Sequence, residues 1–151
     1  MTQGKVAMVD DDDYDWLVGL GSWYADLNRN RYYARCRIDT PTGGTGMHRL
    51  IMGVTDPKIK VDHRDLDGLN NRRSNLRIAT NSQNGQNTGL TTRNQSGHKG
   101  VCWNKKNSKW VATISVGGRN VYLGLFVDLA DAVAAYAAAA EEHHGEFARI
   151  K

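Results

Sequence analysis

The C-terminal third of the chain has the clearest pattern of hydrophobic and polar positions. KGVCWN, KWVATISV and NVYLGLF are rich in β-branched and aromatic residues, and the turn sequences NKKNS and GGR separate them. This arrangement predicts a three-stranded antiparallel sheet. Asp128 then opens an alanine-rich segment in which Ala132, Val133, Tyr136 and Ala140 recur at helical spacing. We therefore expect one α-helix packed on the sheet.

Residues 1–50 predict a small β-rich lead-in. VAMVDDDDYDWLVGL contains two apolar clusters, and we expect the acidic residues between them to form a loop. RYYARCRI alternates like a strand, with Tyr33, Arg35 and Arg37 on one face. PTGGTG is typical of a turn or a flexible loop, whereas MHRLIMG is compatible with either a strand or a helix.

Between these two regions apolar side chains become sparse. KIKVDH predicts a short strand that ends at His63, and DLDGLNNRRSN is typical of turns. Thr80 is expected to cap a short helix that begins near Asn81. Residues 85–96 have the composition of a linker, and we expect them to be extended. The expected organisation is therefore α+β, with a first region at 1–84, a linker at 85–96 and a domain at 97–151.

Composition narrows the class of protein. The chain has 151 residues, no long apolar run and no N-terminal secretory pattern, so we expect no membrane span and a location in the cell interior. With only Cys36 and Cys102, a zinc site of four cysteines is impossible. Residues 68–127 contain nine Lys or Arg and no Asp or Glu, which favours a polyanionic partner over a merely solvated basic surface.

Asp62 and His63 are the residues best suited to catalysis. Hydrolysis of a phosphodiester needs a base and a cation that neutralises developing charge. His63 can act as the base near neutral pH, and Asp62 offers a hard oxygen ligand for Mg²⁺ or Mn²⁺. The same pair also occurs as capping or solvated residues. We interpret Asn70 and Asn71 as turn residues, and Arg72, Arg73 and Arg77 as either solvated or in contact with phosphate.

The order of these motifs resembles a known nuclease family. HRLI, then VDH, then D-x-x-N-N-x-x-x-N-L-R, then T-x-x-x-N is similar to the HNH endonucleases of phages and mobile introns, particularly the nicking homing enzymes. The resemblance implies a ββα-metal fold in the first region. It implies His63 as the general base, Asp62 and Asn84 as metal ligands, and Asn75 as a brace for the loop after His63. His48 and Arg49 match a preceding segment that we interpret as structural or phosphate-contacting.

The resemblance also implies a mechanism and a cofactor. One Mg²⁺, Mn²⁺ or other divalent ion would be held by Asp62, Asn84 and phosphate oxygens. His63 would take a proton from the attacking water, leaving a 5′ phosphate. A single site cuts one strand, so we expect a nick in double-stranded DNA from a monomer or weak dimer. The phage or mobile-element origin implies the cytoplasm of a bacterial host.

The C-terminal domain resembles the ethylene-response-factor (apetala-type) DNA-binding domain. KGV, KWVATI, YLGLF and AAYAAAA carry this resemblance, which implies that the sheet, and not the helix, faces the duplex. Family arginines are absent at Cys102, Thr113 and Ser115, so we expect phosphate positioning with modest base readout. One of Trp103 and Trp110 is expected to belong to the core, and we favour Trp110. The expected DNA contacts on this domain are Lys99, Asn104, Lys105, Lys109, Thr113, Ser115, Arg119 and Tyr122.

Two other classes of function stay open on the sequence. The first is a non-catalytic, sequence-preferring DNA-binding protein whose nuclease half has decayed. Asp62, His63, Asn75 and Asn84 stand in order, which argues against decay. The second is a single-strand or RNA binder that uses Trp and Tyr side chains for stacking.

Overall fold

The computed structural model describes residues 1–37 and 45–150. The chain forms two compact units, Met1–Thr80 and Asn81–Lys151. The first region that we expected, residues 1–84, therefore extends across the division, because the residues after Thr80 belong to the second unit. Within the described residues, no helix is both long enough and apolar enough to cross a bilayer.

Within its described residues, the first unit combines two α-helices with two small antiparallel sheets. Strands β1, β2 and β3 form one sheet in that order, and β4 and β5 form a hairpin. Leu17, Ala34, Met47, Ile51 and Leu76 are its buried core. The elements in chain order are α1 (Asp11–Gly19), β1 (Trp23–Asn28), β2 (Arg31–Cys36), β3 (Thr45–Gly46), α2 (Met47–Ile51), β4 (Lys60–His63) and β5 (Leu76–Ala79).

Several expectations for this unit met a definite outcome. The strand expected at RYYARCRI is present as β2, although Ile38 lies outside the described residues, as do positions 41–44 of PTGGTG. MHRLIMG forms the helix α2. The prediction of an acidic loop was wrong, because the aspartates form the first turn of α1. Carboxylates at that end of a helix interact favourably with its unsatisfied amide groups and its dipole.

Asp13 fastens α1 to the turn that precedes β5. Asp13 is 1% exposed, and its two carboxylate oxygens accept from Arg73 Nε at 2.8 Å and Nη2 at 2.6 Å. Asp10 Oδ2 accepts from the Arg73 amide at 2.8 Å. The hydrogen bond from Arg73 lowers the pKa of Asp13 below its ordinary value of 3.8. This buried carboxylate therefore links residues that are sixty positions apart.

The second unit contains the expected three-stranded antiparallel sheet packed on one helix. The strands are β6 (Val101–Asn104), β7 (Lys109–Val116) and β8 (Arg119–Phe126), paired in chain order. The helix α3 (Asn81–Gln86) precedes these strands and begins directly after Thr80, as expected. The helix α4 (Leu129–His144) follows them. Both the sheet and the α4 helix are confirmed, and Asp128 is the N-cap of α4.

The core of the second unit lies between α4 and one face of the sheet. Val101, Ala112 and Ile114 of the sheet pack with Ala132 and Tyr136 of α4, and all five are at most 3% exposed. Trp110 packs against this cluster, as expected, whereas Trp103 is 45% exposed and meets Trp110 edge to face. Gly100 has φ +69°, and a Cβ there would lie 2.2 Å from the Tyr136 ring. A side chain at position 100 would therefore prevent this close packing.

The segment between α3 and β6 makes turns, where we had expected an extended linker. The Asn94 amide donates to Thr91 O at 3.0 Å, and Asn94 Oδ1 accepts from the Gly97 amide at 2.8 Å. The Ser96 hydroxyl donates to Val101 O at 2.7 Å. Asn and Ser side chains substitute for backbone partners in this way, so a polar composition here does not produce an extended chain.

Replacing Asp13 by Asn should destabilise the first unit in a pH-dependent way. Near pH 7 we expect a loss of about 2 kcal/mol, the usual range for hydrogen bonds to a charged group. The pKa of Asp13 is lowered in the folded state, so its contribution is complete above pH 3.8 and is lost as the pH falls toward the folded pKa. The wild type and the variant should converge in acid. Urea unfolding between pH 7 and pH 2.5 measures this, with the exposed Asp12→Asn as the control. A difference that is the same at every pH would contradict the prediction.

Candidate active site

His63 lies at the end of β4 and is buried, with 5% of its surface exposed. In the β4–β5 hairpin, His63 is opposite Leu76 and Asp62 is opposite Arg77. Adjacent strand residues point to opposite faces of a sheet. The imidazole and the preceding carboxylate therefore leave the hairpin on different sides.

Asn71 holds the imidazole of His63. The distance between His63 Nε2 and Asn71 Oδ1 is 3.3 Å, and Asn71 Nδ2 donates to Gly68 O at 3.5 Å. The Asn71 side-chain oxygen can only accept, so a hydrogen bond between these two atoms requires the proton to be on Nε2, which in a neutral ring leaves the lone pair on Nδ1. Asn71 is fully buried, and its backbone N–H donates to Met8 O at 2.7 Å. We had interpreted Asn71 as a turn residue, and only its place in the D-x-x-N-N pattern hinted at this contact.

Two aromatic rings surround His63. The His48 ring centroid is 5.1 Å from that of His63, and the Tyr33 centroid is 5.9 Å away, both edge to face. Burial lowers the pKa of His63, against the opposing effects of the Asn71 hydrogen bond and nearby aspartates. Burial lowers the pKa of His48 to about 3, with smaller effects from its electrostatic interaction with His63 and from the charges of Arg49 and Arg35. His48 is thus a neutral packing partner, while His63 is an uncharged imidazole suited to accepting a proton.

Asn75 ties together the loop that follows His63. Its Oδ1 accepts from the Asp65 amide at 3.1 Å, and its Nδ2 donates to Asp65 Oδ1 at 2.9 Å and to Asn70 O at 2.8 Å. Its backbone oxygen accepts from the Arg64 amide at 2.9 Å. Asn70 Nδ2 donates to the other Asp65 oxygen at 2.7 Å. The position suits the bracing role that the resemblance implied, because these hydrogen bonds all go to the loop that follows His63.

Asp62 is engaged by Arg77. Arg77 Nε and Nη2 donate to Asp62 Oδ2 at 2.9 and 2.8 Å, and both residues are at most 6% exposed. The solvated position that we considered for Arg77 does not match this placement. Arg72, in contrast, is exposed, and Arg73 combines an exposed side chain with its ion pair to Asp13.

The donor chemistry is suitable for a hard divalent cation at Asp62. A carboxylate and amide oxygens are the ligands that Mg²⁺ prefers. Asn84 is exposed on α3, in the second unit. Among the residues that the structure describes, no group of three or more His, Cys, Asp or Glu side chains is arranged to hold a metal ion. A cation at Asp62 Oδ2 would have to compete with the Arg77 guanidinium, which donates two hydrogen bonds to that oxygen.

Five of the residues expected to contact DNA lie on the sheet face opposite α4. Ala112 and Ile114 point into the core, so the alternating residues of β7 and their cross-strand partners occupy the other face. Arg119 pairs with Val116, which places it on the α4 side, and Lys105 lies in the exposed turn after β6. The five on the face opposite α4 are Asn104, Lys109, Thr113, Ser115 and Tyr122.

Lys99 binds backbone carbonyls in the structure. Its ammonium donates to Thr88 O at 2.9 Å, to Gly85 O at 3.5 Å and to Gln86 O. Burial, together with the nearby Arg149 charge, lowers the pKa of Lys99. Carbonyls at the C-terminal end of a helix lack intrahelical partners. Lys99 therefore caps α3, which differs from the phosphate contact that we expected from the sequence.

Comparison with known families identifies the class. Residues 47–86 match the family model of an HNH endonuclease, a range that begins with α2, includes the β4–β5 hairpin and ends with α3. The His63 hairpin thus lies in an HNH endonuclease domain. Over 91 residues the chain is 34% identical to Protein 3.8 of Escherichia phage T7, which covers 60% of this chain and 74% of that protein. The chain belongs to the same family as Protein 3.8. No solved structure matches the chain significantly.

Removing the Lys99 ammonium should loosen α3. In Lys99→Ala, the carbonyls of Gln86 and Thr88 lose a charged donor, so we expect backbone amides of residues 81–89 to exchange about tenfold faster or more. Hydrogen exchange read by mass spectrometry measures this. Lys105→Ala, an exposed lysine in the same unit, is the control. Equal exchange in the two variants would show that Lys99 does not cap the helix.

Proposed function

We propose that the protein is a divalent-metal-dependent endonuclease that nicks double-stranded DNA at the His63 site. The observation that carries this proposal is the buried, uncharged imidazole of His63, oriented by Asn71 inside the segment that matches the HNH family. Such an imidazole can accept a proton from water at neutral pH.

Each part of the site has a proposed role in this reaction. His63 Nδ1 takes the proton of the attacking water, and Asn71 keeps the other ring nitrogen protonated. Asn75 holds the loop that follows the base in one conformation. Asp62 and Asn84 would hold the divalent cation, which when bound would neutralise charge on the phosphate and on the departing 3′ oxygen. Because each chain has one such base, a monomer would cut one strand per visit.

The sheet of the second unit is the proposed docking surface for the duplex. Its face opposite α4 carries Lys109, Tyr122 and several hydrogen-bonding side chains. The arrangement of three strands and one helix suits the resemblance to the ethylene-response-factor domain. Lys109, Asn104, Thr113, Ser115 and Tyr122 are the proposed contacts. Lys105, Arg119 and Arg72, which belong to the same basic stretch of the sequence, are further proposed contacts. Arg73, Arg77 and Lys99 have intramolecular partners in the structure and are weaker candidates.

His63→Ala should abolish nicking and preserve DNA binding. We expect the rate at which supercoiled plasmid becomes open circles to fall by about 10²- to 10⁴-fold, the usual contribution of a positioned general base. The wild-type activity should require Mg²⁺ or Mn²⁺ and stop with EDTA. The exposed His143→Ala is the matched control and should cut at the wild-type rate.

Three outcomes of this experiment separate the candidate functions. Metal-dependent nicking that disappears only in His63→Ala supports the proposal. Nicking that survives in His63→Ala would remove His63 as the base. Duplex binding without any nicking in the wild type would favour the non-catalytic DNA-binding protein, and a preference for single strands would favour the stacking alternative.

Lys109→Ala should weaken binding to duplex DNA by a similar factor for duplexes of different base sequence. Loss of one phosphate contact lowers the slope of log K against log salt by about 1. Titration of a labelled duplex at several salt concentrations measures the slope. Lys58→Ala, an exposed lysine of the first unit, removes the same charge and is the control. An unchanged slope in Lys109→Ala would remove this residue from the proposed interface.

A further inference from the structure

The three-stranded sheet of the first unit, formed by β1, β2 and β3, has one polar, cationic face. In the β1–β2 register, Tyr24 is opposite Arg35, Asp26 is opposite Tyr33, and Asn28 is opposite Arg31. The other face carries Ala25, Ala34 and Cys36, all at most 5% exposed. A sheet that buries one face and presents alternating tyrosine and arginine on the other has the composition of a surface that binds nucleic acid.

This polar face forms one wall of a cleft. The cleft has a volume of about 380 Å³, within the range of cavities that hold small ligands. Three cations and one carboxylate line it, together with two rings. The lining residues that matter here are Asp26, Tyr33, Arg35, His48, Arg49 and Lys60.

The cations of the cleft are held by neighbouring groups. Arg35 Nη1 donates to Asp26 Oδ2 at 3.1 Å, and both side chains are more than a third exposed. Arg49 donates to Ile59 O and Asp56 O, each at 2.7 Å, which fixes the segment that leads into Lys60. Lys60 Nζ is 3.4 Å from Pro57 O. Cations restrained in this way require less ordering when they bind an anion.

The cleft adjoins the candidate catalytic base. Tyr33 and His48 both line the cleft, and both pack edge to face on the His63 ring. Lys60 and His63 are the first and last residues of the same strand, β4. A ligand in the cleft therefore lies beside the imidazole, separated from it by these two rings.

We propose that this cleft binds the nucleotide next to the scissile phosphate, with its phosphate at Arg35 and Lys60 and its base against Tyr33. This subsite rests on the proposed nuclease function. It assigns a role in strand binding to the polar face of β1 and β2, separate from the sheet of the second unit. The ligand is a segment of a DNA strand, since cations from β2, α2 and β4 converge on this cleft beside an aromatic ring, a combination that suits a phosphate and its base.

Photo-cross-linking tests the subsite without relying on catalysis. His63→Ala protein is irradiated with duplexes that carry 5-iododeoxyuridine at successive positions, and the cross-linked residue is read by mass spectrometry. We expect Tyr33 to be the main cross-linked residue of the first unit, at one or two adjacent positions. Cross-links confined to the second unit would overturn the subsite. Micromolar dTMP that abolishes the Tyr33 cross-link would show a site for free nucleotides and would also overturn it.

Kinetics provides the second test. Lys60→Ala and Arg35→Ala should each lower kcat/KM for nicking about tenfold, as expected when a charged hydrogen bond to phosphate is lost. Lys58→Ala, two residues from Lys60 and outside the cleft, should stay within twofold of the wild type. Circular dichroism and thermal midpoints establish that each variant is folded.

The two proposals can fail separately. If the wild type nicks DNA and Lys60→Ala matches Lys58→Ala, the subsite is wrong and the nuclease proposal survives. If the wild type does not nick DNA at all, the nuclease proposal fails. The cross-link to Tyr33 then still decides whether the cleft holds a DNA strand.

Discussion

The alternation of side chains along β4 is the constraint on which the candidate site depends. Residues 62 and 63 are consecutive, so the strand sends the carboxylate to one face of the hairpin and the imidazole to the other. A shift of one residue in the β4–β5 pairing would exchange the two faces. It would move Asp62 away from Arg77 and would take His63 out of the environment formed by Tyr33, His48 and Asn71. The pairing of four residues on each strand therefore fixes both functional groups.

The asparagines after His63 replace the apolar packing that this segment lacks. Asn71 contacts the imidazole, while Asn75 holds the turn through Asp65 and the Asn70 carbonyl. An asparagine side chain both donates and accepts, so a few of them can satisfy a loop's backbone without a hydrophobic core. A loop built in this way can stay polar and still be rigid, which the proposed role of His63 as a general base requires.

The sequence predicted those parts of the structure in which local pattern and tertiary packing agree. The strands of the second unit and α4 followed from alternation, turn residues and alanine spacing. The acidic turn of α1 was mistaken for a loop because four aspartates mask the apolar spacing around them. Arg77 and Lys99 were expected at the surface because charge alone does not reveal burial. Their partners, Asp62 and the carbonyls near Gln86, are brought to them by hairpin pairing and by turns. The Asn71 contact likewise depends on how the loop closes.

The boundary between Thr80 and Asn81 constrains how the gene of this protein can recombine with related genes. The stretch that matches the HNH family runs through residue 86, and its final helix belongs to the second compact unit. A crossover at the structural boundary would leave the first unit followed by the α3 of another protein and would divide the stretch that matches the family. A crossover beyond α3 would preserve the motif but would detach that helix from its Lys99 cap. The two halves are thus expected to be inherited together.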